Sequence, residues 1–325
     1  MAVNTGEGSK LQIGLGSVWG TITAPTVEVD MLNEKFGEEY TVITEDSLVG
    51  KATQGRSDVM GKKVTGGFEQ LVKPDNIGLL LACALGSEAA PAQIGETAVY
   101  DHSFSLITGS ANLLPIFDAV VDKRTSVYGF ISNKVSSISL NQANNDYLKA
   151  SIDSVGFAEA ADALEDLTLS TLRSFNFNDL TVEFAGTPVG ADVKSVSFTL
   201  NNSLEDDEYV ADGSTTMAEI DRQRREPTIE IEINWTAAME AYRTANYKTA
   251  TPLKVELIWT GATIATTDHY TLTVTAENAF ITSFPDEISG AERITTTISF
   301  RCGSIGSAEP LVVTLRDLTT TRYLG

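Results

Sequence analysis

The stretch TIEIEINWTAAMEAYRTAN, residues 228–246, joins a strand pattern to a helix pattern, and the rest of the chain is organised around it. Ile229, Ile231 and Ile233 alternate with glutamates, which is typical of a strand with one buried face. Thr236 then offers a side-chain oxygen that can cap a helix, and the apolar residues after it recur at helical spacing. The stretch therefore predicts a strand that runs directly into a helix of about three turns.

The same unit occurs earlier, in residues 66–86, GGFEQLVKPDNIGLLLACALG. We expect Pro74 to end the strand and Asp75 to cap the helix. Gly86 stands where the C-terminal cap of a helix belongs. The expected apolar stripe of this helix consists of Ile77, Leu80, Leu81 and Leu85. Because Asp75 corresponds to Thr236, the two units are 236 − 75 = 161 residues apart.

Further matches follow in the same order along the chain and indicate an internal repeat. The matched segments are 26–29 with 181–184, 41–48 with 197–204, 103–109 with 254–261, and 149–157 with 292–300. The separation falls to 292 − 149 = 143 in the last pair, as surface loops of different length would produce. The sequence thus predicts a mainly β protein built from two tandem copies of one domain, each with a single helix and long polar loops.

The repeat predicts five parts along the chain. They are an N-terminal arm (1–20), a first copy (21–157), a linker (158–174), a second copy (175–302) and a C-terminal extension (303–325). Residues 11–20 are apolar and have no counterpart before the second copy, so we expect them to dock on a neighbouring molecule. Residues 157–172 are acidic with some helical propensity, and residues 310–318 predict one further strand.

The composition excludes several classes of protein. A net charge of −21 argues against a nucleic-acid-binding protein, since phosphate contacts are built from lysine and arginine. Residues 1–10 are polar and unlike a secretory signal, and no apolar run reaches the roughly 20 residues that span a bilayer. We therefore expect a soluble protein made inside a cell, in which Cys83 and Cys302 are buried free thiols.

Motifs that could carry chemistry are weak. Residues 14–20 and 55–63 resemble nucleotide-binding glycine loops, but both have the wrong spacing. His102 and His269 each follow an aspartate, yet neighbouring strand residues point to opposite faces and no nucleophile motif accompanies them. We interpret both as surface or strand-end histidines. The sequence predicts no catalytic residue, no metal site and no cofactor, and hence a protein that is not an enzyme.

Charged residues in two places suggest contacts instead. The long polar excursions 45–67 and 202–226 read as hairpins or loops, and their basic residues are Arg56, Lys62, Lys63, Arg222, Arg224 and Arg225. These residues are either a solvated surface or contacts to an acidic neighbouring subunit, two interpretations of equal weight. Glu230 and Glu232 lie on the wet face of their strand, and Glu69 corresponds to Glu230. If these strands line a pore, that face is its lumen.

The excursion and helix of the first copy, EDSLVGKATQGRSDVMGKKVTGGFEQLVKPDNIGLLLACALG (45–86), resemble tail tube proteins of long-tailed, siphovirus-like bacteriophages. The segments VKSVSFTLNNSLEDDE (193–208) and EPTIEIEINWTAAMEAY (226–242) resemble the same family, and the similarity covers roughly residues 20–302. The resemblance implies β-sandwich or barrel domains of the tail-tube type, each flanked by a helix. It also implies rings whose inner strands join and which stack into a tube, with long loops reaching between rings.

The resemblance implies a structural virion protein made in the host cytoplasm. A typical member has one domain and forms hexameric rings, so two domains predict a trimeric, pseudo-hexameric ring. DNA would pass through an acidic lumen without specific binding. Other expected partners are the tape-measure, tail terminator and tail-tip proteins, with no membrane involved. The alternative is a tail-tip or adhesion module of a phage or related injection machine that forms one ring and does not polymerise.

Overall fold

The computed structural model describes residues 5–45, 55–108, 113–265, 267–287 and 293–325. The elements up to residue 161 are β1 (Leu11–Leu15), β2 (Val27–Val29), β3 (Met31–Glu34), β4 (Gly37–Thr44), β5 (Ser57–Leu71), α1 (Gly78–Leu85), β6 (Gly86–Glu88), β7 (Ala92–Gln93), β8 (Tyr100–Leu106), β9 (Phe117–Asp122), β10 (Val127–Gln142), β11 (Lys149–Gly156) and β12 (Ala158–Ala161). The later elements are β13 (Leu180–Phe184), β14 (Thr187–Pro188), β15 (Val193–Asn201), β16 (Leu204–Glu205), β17 (Asp221–Arg222), β18 (Glu226–Asn234), α2 (Ala237–Tyr242), β19 (Leu253–Ala265), β20 (Asp268–Ser283), β21 (Thr295–Cys302) and β22 (Val312–Asp317). Single 3-10 turns occupy Phe177–Asp179 and Gly190–Asp192, and a π-helix, Arg243–Tyr247, continues α2. The predicted mainly β class is confirmed.

One large antiparallel sheet runs through most of the molecule. Its strand order is β4–β5–β11–β10–β15–β18–β21–β20, and β3 lies beside the end of β5 next to β4. One face of this sheet is apolar and buried, as at Phe68, Ile152 and Ile229. Because side chains alternate between the faces of a strand, the intervening polar residues all lie on the opposite face.

Two smaller sheets contain the first halves of the long strands β10 and β20. The first has the order β2–β1–β9–β10–β12, and the second β13–β19–β20–β22–β8–β6. The pairing of β10 shifts between Phe130 and Asn133, where Ser132 has a φ of 54°. Such an irregularity lets one strand leave one sheet and enter another, which forms the corner of a sandwich. Among the described residues, the strand pairings branch at β10 and β20 and close no ring.

The two strand–helix units occur where the sequence predicts them. Strand β18 passes into α2, and the Thr236 side chain accepts a hydrogen bond from the Met239 backbone N–H at 3.5 Å. The prediction for α1 is half right. Gly86 ends the helix in the left-handed conformation (φ 86°), but Asp75 is exposed and the N-cap position is Ile77. Helix α1 is also buried on every side, so its apolar residues do not form a stripe.

The predictions about the connecting segments are partly wrong and partly right. The first half of residues 11–20 is not a free arm, because β1 pairs with β2 and β9 of the same chain. The segment after Phe157 forms β12 against β10 and no helix. The tail strand is confirmed as β22. Excursion 45–67 contains the first part of β5, which pairs with the preceding strand β4, and its residues 46–54 lie outside the described part. Excursion 202–226 contains the short β16–β17 pair.

The strand pairings of the first half recur in the second. Strands β5, β11 and β10 lie side by side, as do β18, β21 and β20. Ile152 is opposite Phe68, and Phe300 is opposite Ile229, so Ile152 corresponds to Phe300 at a separation of 300 − 152 = 148. The predicted separation of 143 for these strands was thus five residues too small. Strand β8 is also not the counterpart of β19, because β9 holds the place of β19 beside the long strand.

Candidate functional site

The polar face of the large sheet carries all three predicted glutamates, with β11, β10 and β15 lying between Glu69 on β5 and the two glutamates on β18. Glu69 of β5 is opposite Ser151, while Glu230 of β18 lies between Ser197 and Ser299. Glu232, two residues further along β18, lies on the same face as Glu230. The residues opposite these carboxylates include small hydroxyl residues on the three strands β11, β15 and β21.

The carboxylates of this face are tied into hydrogen bonds across the strands. Asn33 donates from Nδ2 to the Glu69 carboxylate at 2.9 Å. Ser195 Oγ donates to Glu232 at 3.1 Å, and Ser299 Oγ to Glu230 at 3.4 Å. These bonds hold the side chains against the sheet and leave the carboxylates accessible to solvent. The result is a flat surface of hydroxyls and carboxylates, without a nucleophile–base pair.

The same face also carries lysines that the sequence did not predict there. Lys35 pairs with Asp153 at 2.6 Å, and Lys149 pairs with Asp146 at 2.7 Å. Hydrogen bonding to Asp146 raises the pKa of Lys149, so this ion pair stays charged over a wide pH range. Both lysines are neutralised by a carboxylate. Arg301, opposite Thr228 and therefore on the same face, is exposed and lies over the Phe280 ring, so it adds a positive charge beside the glutamates.

The large sheet continues without a break from the first predicted copy into the second. Strands β10 and β15 pair from Ser137↔Asn201 to Gln142↔Val196. Ile138 and Leu200 are opposite each other at this junction, and both are fully buried. Asn202 closes its end: the backbone N–H donates to Ser136 O at 2.8 Å, and the side-chain amide donates to Val135 O at 2.8 Å and Ala84 O at 3.0 Å.

Most of the basic loop residues have partners within the chain. Lys63 pairs with Asp206 at 2.5 Å, and Lys62 pairs with Glu38 at 3.1 Å. Arg222 donates to the carbonyl of Ile107 at 3.1 Å. Lys62 and Lys63 thereby join the excursion of the first copy to that of the second, since Lys62 N–H also donates to Thr215 O at 2.7 Å.

The remaining three basic residues differ in exposure. Arg225 donates to Leu85 O, the last carbonyl of α1, at 2.9 Å, beside the backbone N–H of Ile107, and it also donates to Ile107 O. Burial, together with the nearby charge of Arg222, lowers the pKa of Arg225 to about 10. Among the described residues Arg56 pairs with Asp58, two positions further along the chain in β5, and Arg224 is the most exposed of the six. Only these last two extend freely into solvent.

The prediction that His102 is a surface or strand-end residue is wrong. His102 is fully buried. Nδ1 lies 3.0 Å from Glu88 Oε1, and Nε2 lies 2.8 Å from Thr319 O and 3.3 Å from Asp317 Oδ1. The strand YDHSFSL contained the information needed to predict this burial. His102 and Phe104 are two residues apart and therefore lie on the same face of the strand, and the face of Phe104 is the buried one. His269, at the start of β20, agrees with the prediction.

The two cysteines agree with the prediction as well. Cys83 and Cys302 are free and buried, and burial raises the pKa of each thiol to about 12. Such thiols are unreactive near neutral pH because the thiolate is the reactive form. Across the described ranges, no group of three or more His, Cys, Asp or Glu residues is placed to hold a metal ion. Neither α1 nor α2 is long and apolar enough to cross a membrane.

Comparison with known proteins agrees with this arrangement of strands and with the absence of a reactive centre in the described residues. The family model described as phage tail tube protein matches residues 6–302, which is nearly the whole chain. The chain belongs to the phage tail tube protein family. It is therefore a structural component of the virion and not an enzyme. No curated protein matches it.

Proposed function

We propose that three copies of this chain form a pseudo-hexameric ring and that such rings stack into the phage tail tube. In this proposal each predicted copy contributes four strands of the large sheet: β4, β5, β11 and β10 from the first, and β15, β18, β21 and β20 from the second. The division of the chain at residues 20, 157, 174 and 302 belongs to this proposal. Three chains would supply a wall of 3 × 8 = 24 strands.

The observation that carries the proposal is the continuous large sheet with two open ends. Within the described residues, the outer edge of β3 and β4 and the last part of β20 have no second strand partner. An open sheet edge offers unpaired backbone N–H and C=O groups and promotes association. Closing the sheets of three chains into one ring satisfies both edges at once, and head-to-tail stacking of rings extends without limit.

The polar face supports a role as a conduit for DNA. Glu69, Glu230 and Glu232 would face the lumen and repel phosphates, the paired lysines offer little attraction, and Arg301 is outnumbered by the three glutamates. A surface that binds single strands or duplexes needs free cations or stacking aromatics. DNA could then slide through such a channel without being held.

Stacking of rings is assigned to the β4–β5 hairpin. Its apolar side chains Tyr40, Val42, Ile43, Val59 and Met60 are exposed, which is unusual for a hairpin in a monomer. Arg56 and Arg224 are the basic residues still available for such contacts. The tape-measure, tail terminator and tail-tip proteins stay predicted partners.

Electron microscopy of the purified full-length chain at increasing concentration tests this function. We expect hollow tubes whose class averages, viewed down the axis, show six lobes with threefold modulation. Tubes with six complete chains per ring would overturn the trimer. Monomers or single closed rings at every concentration would overturn the tube and favour a tail-tip role.

A further inference from the structure

The junction inside the chain provides a template for the junction between chains. Glu69 and Glu230 correspond, because they occupy the same place in the two strand–helix units. Asn33 is opposite Glu69, and Ser197 is opposite Glu230, so β3 corresponds to β15 at a separation of 197 − 33 = 164. By this separation Phe36 corresponds to Leu200. Both side chains are buried, at 2% and 0% exposure.

The other side of the template is β10, whose counterpart is β20. Ile138 is opposite Ile152, and Ile281 is opposite Phe300. Since Ile152 corresponds to Phe300, Ile138 corresponds to Ile281. Inside the chain, Ile138 pairs with Leu200. The equivalent pair between two chains is Ile281 of one copy with Phe36 of the next.

The backbone of Phe36 is already occupied by side chains. Its N–H donates to Glu34 Oε2 at 3.0 Å, and its carbonyl accepts from Lys123 Nζ at 2.7 Å. Lys123 also lies 3.6 Å from Glu34 and 5.4 Å from the ring centre of Phe130. At the corresponding residue of the internal junction, the backbone of Leu200 faces the paired strand β10. Glu34 and Lys123 therefore take the place of a strand.

We propose that the segment Glu34–Gly37 receives residues Phe280–Phe284 of a second copy of this chain, and that Glu34 and Lys123 cap this edge until the incoming strand displaces them. The proposal rests on the proposed function, because it names the contact through which the ring would close. Charged side chains are a common protection against premature edge pairing. Here they would keep the free subunit from associating before its partner edge is correctly aligned.

The two helices support this placement of the open junction. Helix α1 packs beside β10, next to the closed junction, and all eight of its residues are buried. The π-helix that continues α2 packs beside β20, and Arg243 Nε donates to Phe284 O at 3.4 Å. In α2 only Met239 is buried, while Ala237, Ala238 and Ala241 are exposed. A second copy on the β20 edge would cover α2 as the second domain covers α1.

Disulfide trapping tests the register. In the template Ser139 is opposite Thr199, and the corresponding residues between chains are Ser283 and Lys35. The full-length variant Lys35→Cys/Ser283→Cys should form covalent dimers and trimers on mild oxidation of assembled protein. The control Ser139→Cys/Thr199→Cys should close within one chain and remain monomeric. A second control, Lys35→Cys/Glu277→Cys, uses an exposed residue of β20 outside the register and should not cross-link.

The outcomes separate this inference from the proposed function. The Lys35→Cys/Ser283→Cys variant can form normal tubes and yet stay monomeric on oxidation, or cross-link no better than the Glu277 control. Either result would overturn the register and leave the tube function intact. A chain that neither assembles nor cross-links at any concentration would overturn both.

A substitution of the cap tests its role. Lys123→Met should lower the protein concentration at which tubes appear by roughly tenfold, since one charge-assisted hydrogen bond no longer competes with the incoming strand. Glu34→Ala should act in the same direction. Lys149→Met removes a lysine of similar exposure from a different ion pair and should leave this concentration unchanged. If Lys123→Met and Glu34→Ala both assemble at the wild-type concentration, the edge is not capped.

Discussion

His102 stands out among single residues because its charge is buried between two carboxylates. Burial by itself would lower the pKa of the imidazole, but hydrogen bonds to Asp317, Glu88 and the Thr319 carbonyl outweigh burial and raise the pKa from 6.5 to about 10. Glu88 also accepts the backbone N–H of Leu324 at 3.0 Å, and Tyr323 donates to Asp317. The cluster fastens the C-terminal tail to β8, so the charged imidazole stabilises the fold.

We expect this stabilisation to depend on pH. Because the folded pKa is above the unfolded one, the contribution is complete below about pH 6.5 and is lost as the pH rises through about 10. Its size is on the order of a few kcal/mol. The difference in melting temperature between wild type and His102→Gln should therefore shrink from pH 6 to pH 10.

The matched control is His269→Gln, which changes the half-exposed histidine at the start of β20. Its difference from wild type should be small and nearly constant over the same pH range. A difference for His102→Gln that does not change with pH would show that the imidazole is neutral in the fold.

At the scale of elements, the C-terminal end of α1 depends on a side chain that is distant in sequence. Helix α1 has no basic residue in its last turn, and Leu85 O accepts a charged hydrogen bond from Arg225 in addition to the backbone N–H of Ile107. We expect Arg225→Met to lower the free energy of unfolding by roughly 1.5–3 kcal/mol, because two carbonyls lose a charged donor. Arg224→Met removes the same charge from an exposed neighbour and should change stability by less than about 0.5 kcal/mol. Chemical denaturation of both variants measures this, and equal effects would contradict the capping role.

The elements also show which features a sequence can predict. The alternation around Ile231 and the glycine at 86 are local signals, and both predicted their structures correctly. The cap of α1 could not be predicted from Asp75, because Asn76 stabilises the turn before the helix instead. Its side-chain oxygen accepts from Lys73 N–H, and its side-chain amide donates to Leu71 O. The partners of Arg225 are backbone carbonyls, which leave no trace in a sequence.

Pairing between strands was the least predictable feature. Strands β10 and β15 both show ordinary alternation, and nothing in either marks the other as its partner. The polar face is different, because Glu69 and Glu230 correspond within the repeat and could be placed together from the sequence. Lys35 and Lys149 became part of that face only once the register of the neighbouring strands was known.

At the scale of the whole molecule, charge on the polar face should decide whether DNA moves freely. We expect tubes of Glu230→Lys/Glu232→Lys to retain short duplexes that sediment with the tubes and resist nuclease. Retention should fall as salt rises, since each new phosphate contact releases counterions. The control Glu96→Lys/Glu309→Lys changes the net charge equally at exposed loop residues. Equal retention by both variants, or none by either, would contradict a lumen-facing role for Glu230 and Glu232.

The junction between β10 and β15 has a consequence for counting. Because this joint forms within one polypeptide, its register is fixed during folding, and in the proposed ring the two predicted copies would always enter as a pair. Any closed ring made from intact chains must then hold an even number of units. A ring of separate single-domain subunits can close by mistake with five or seven members. The connectivity of this chain would exclude such rings.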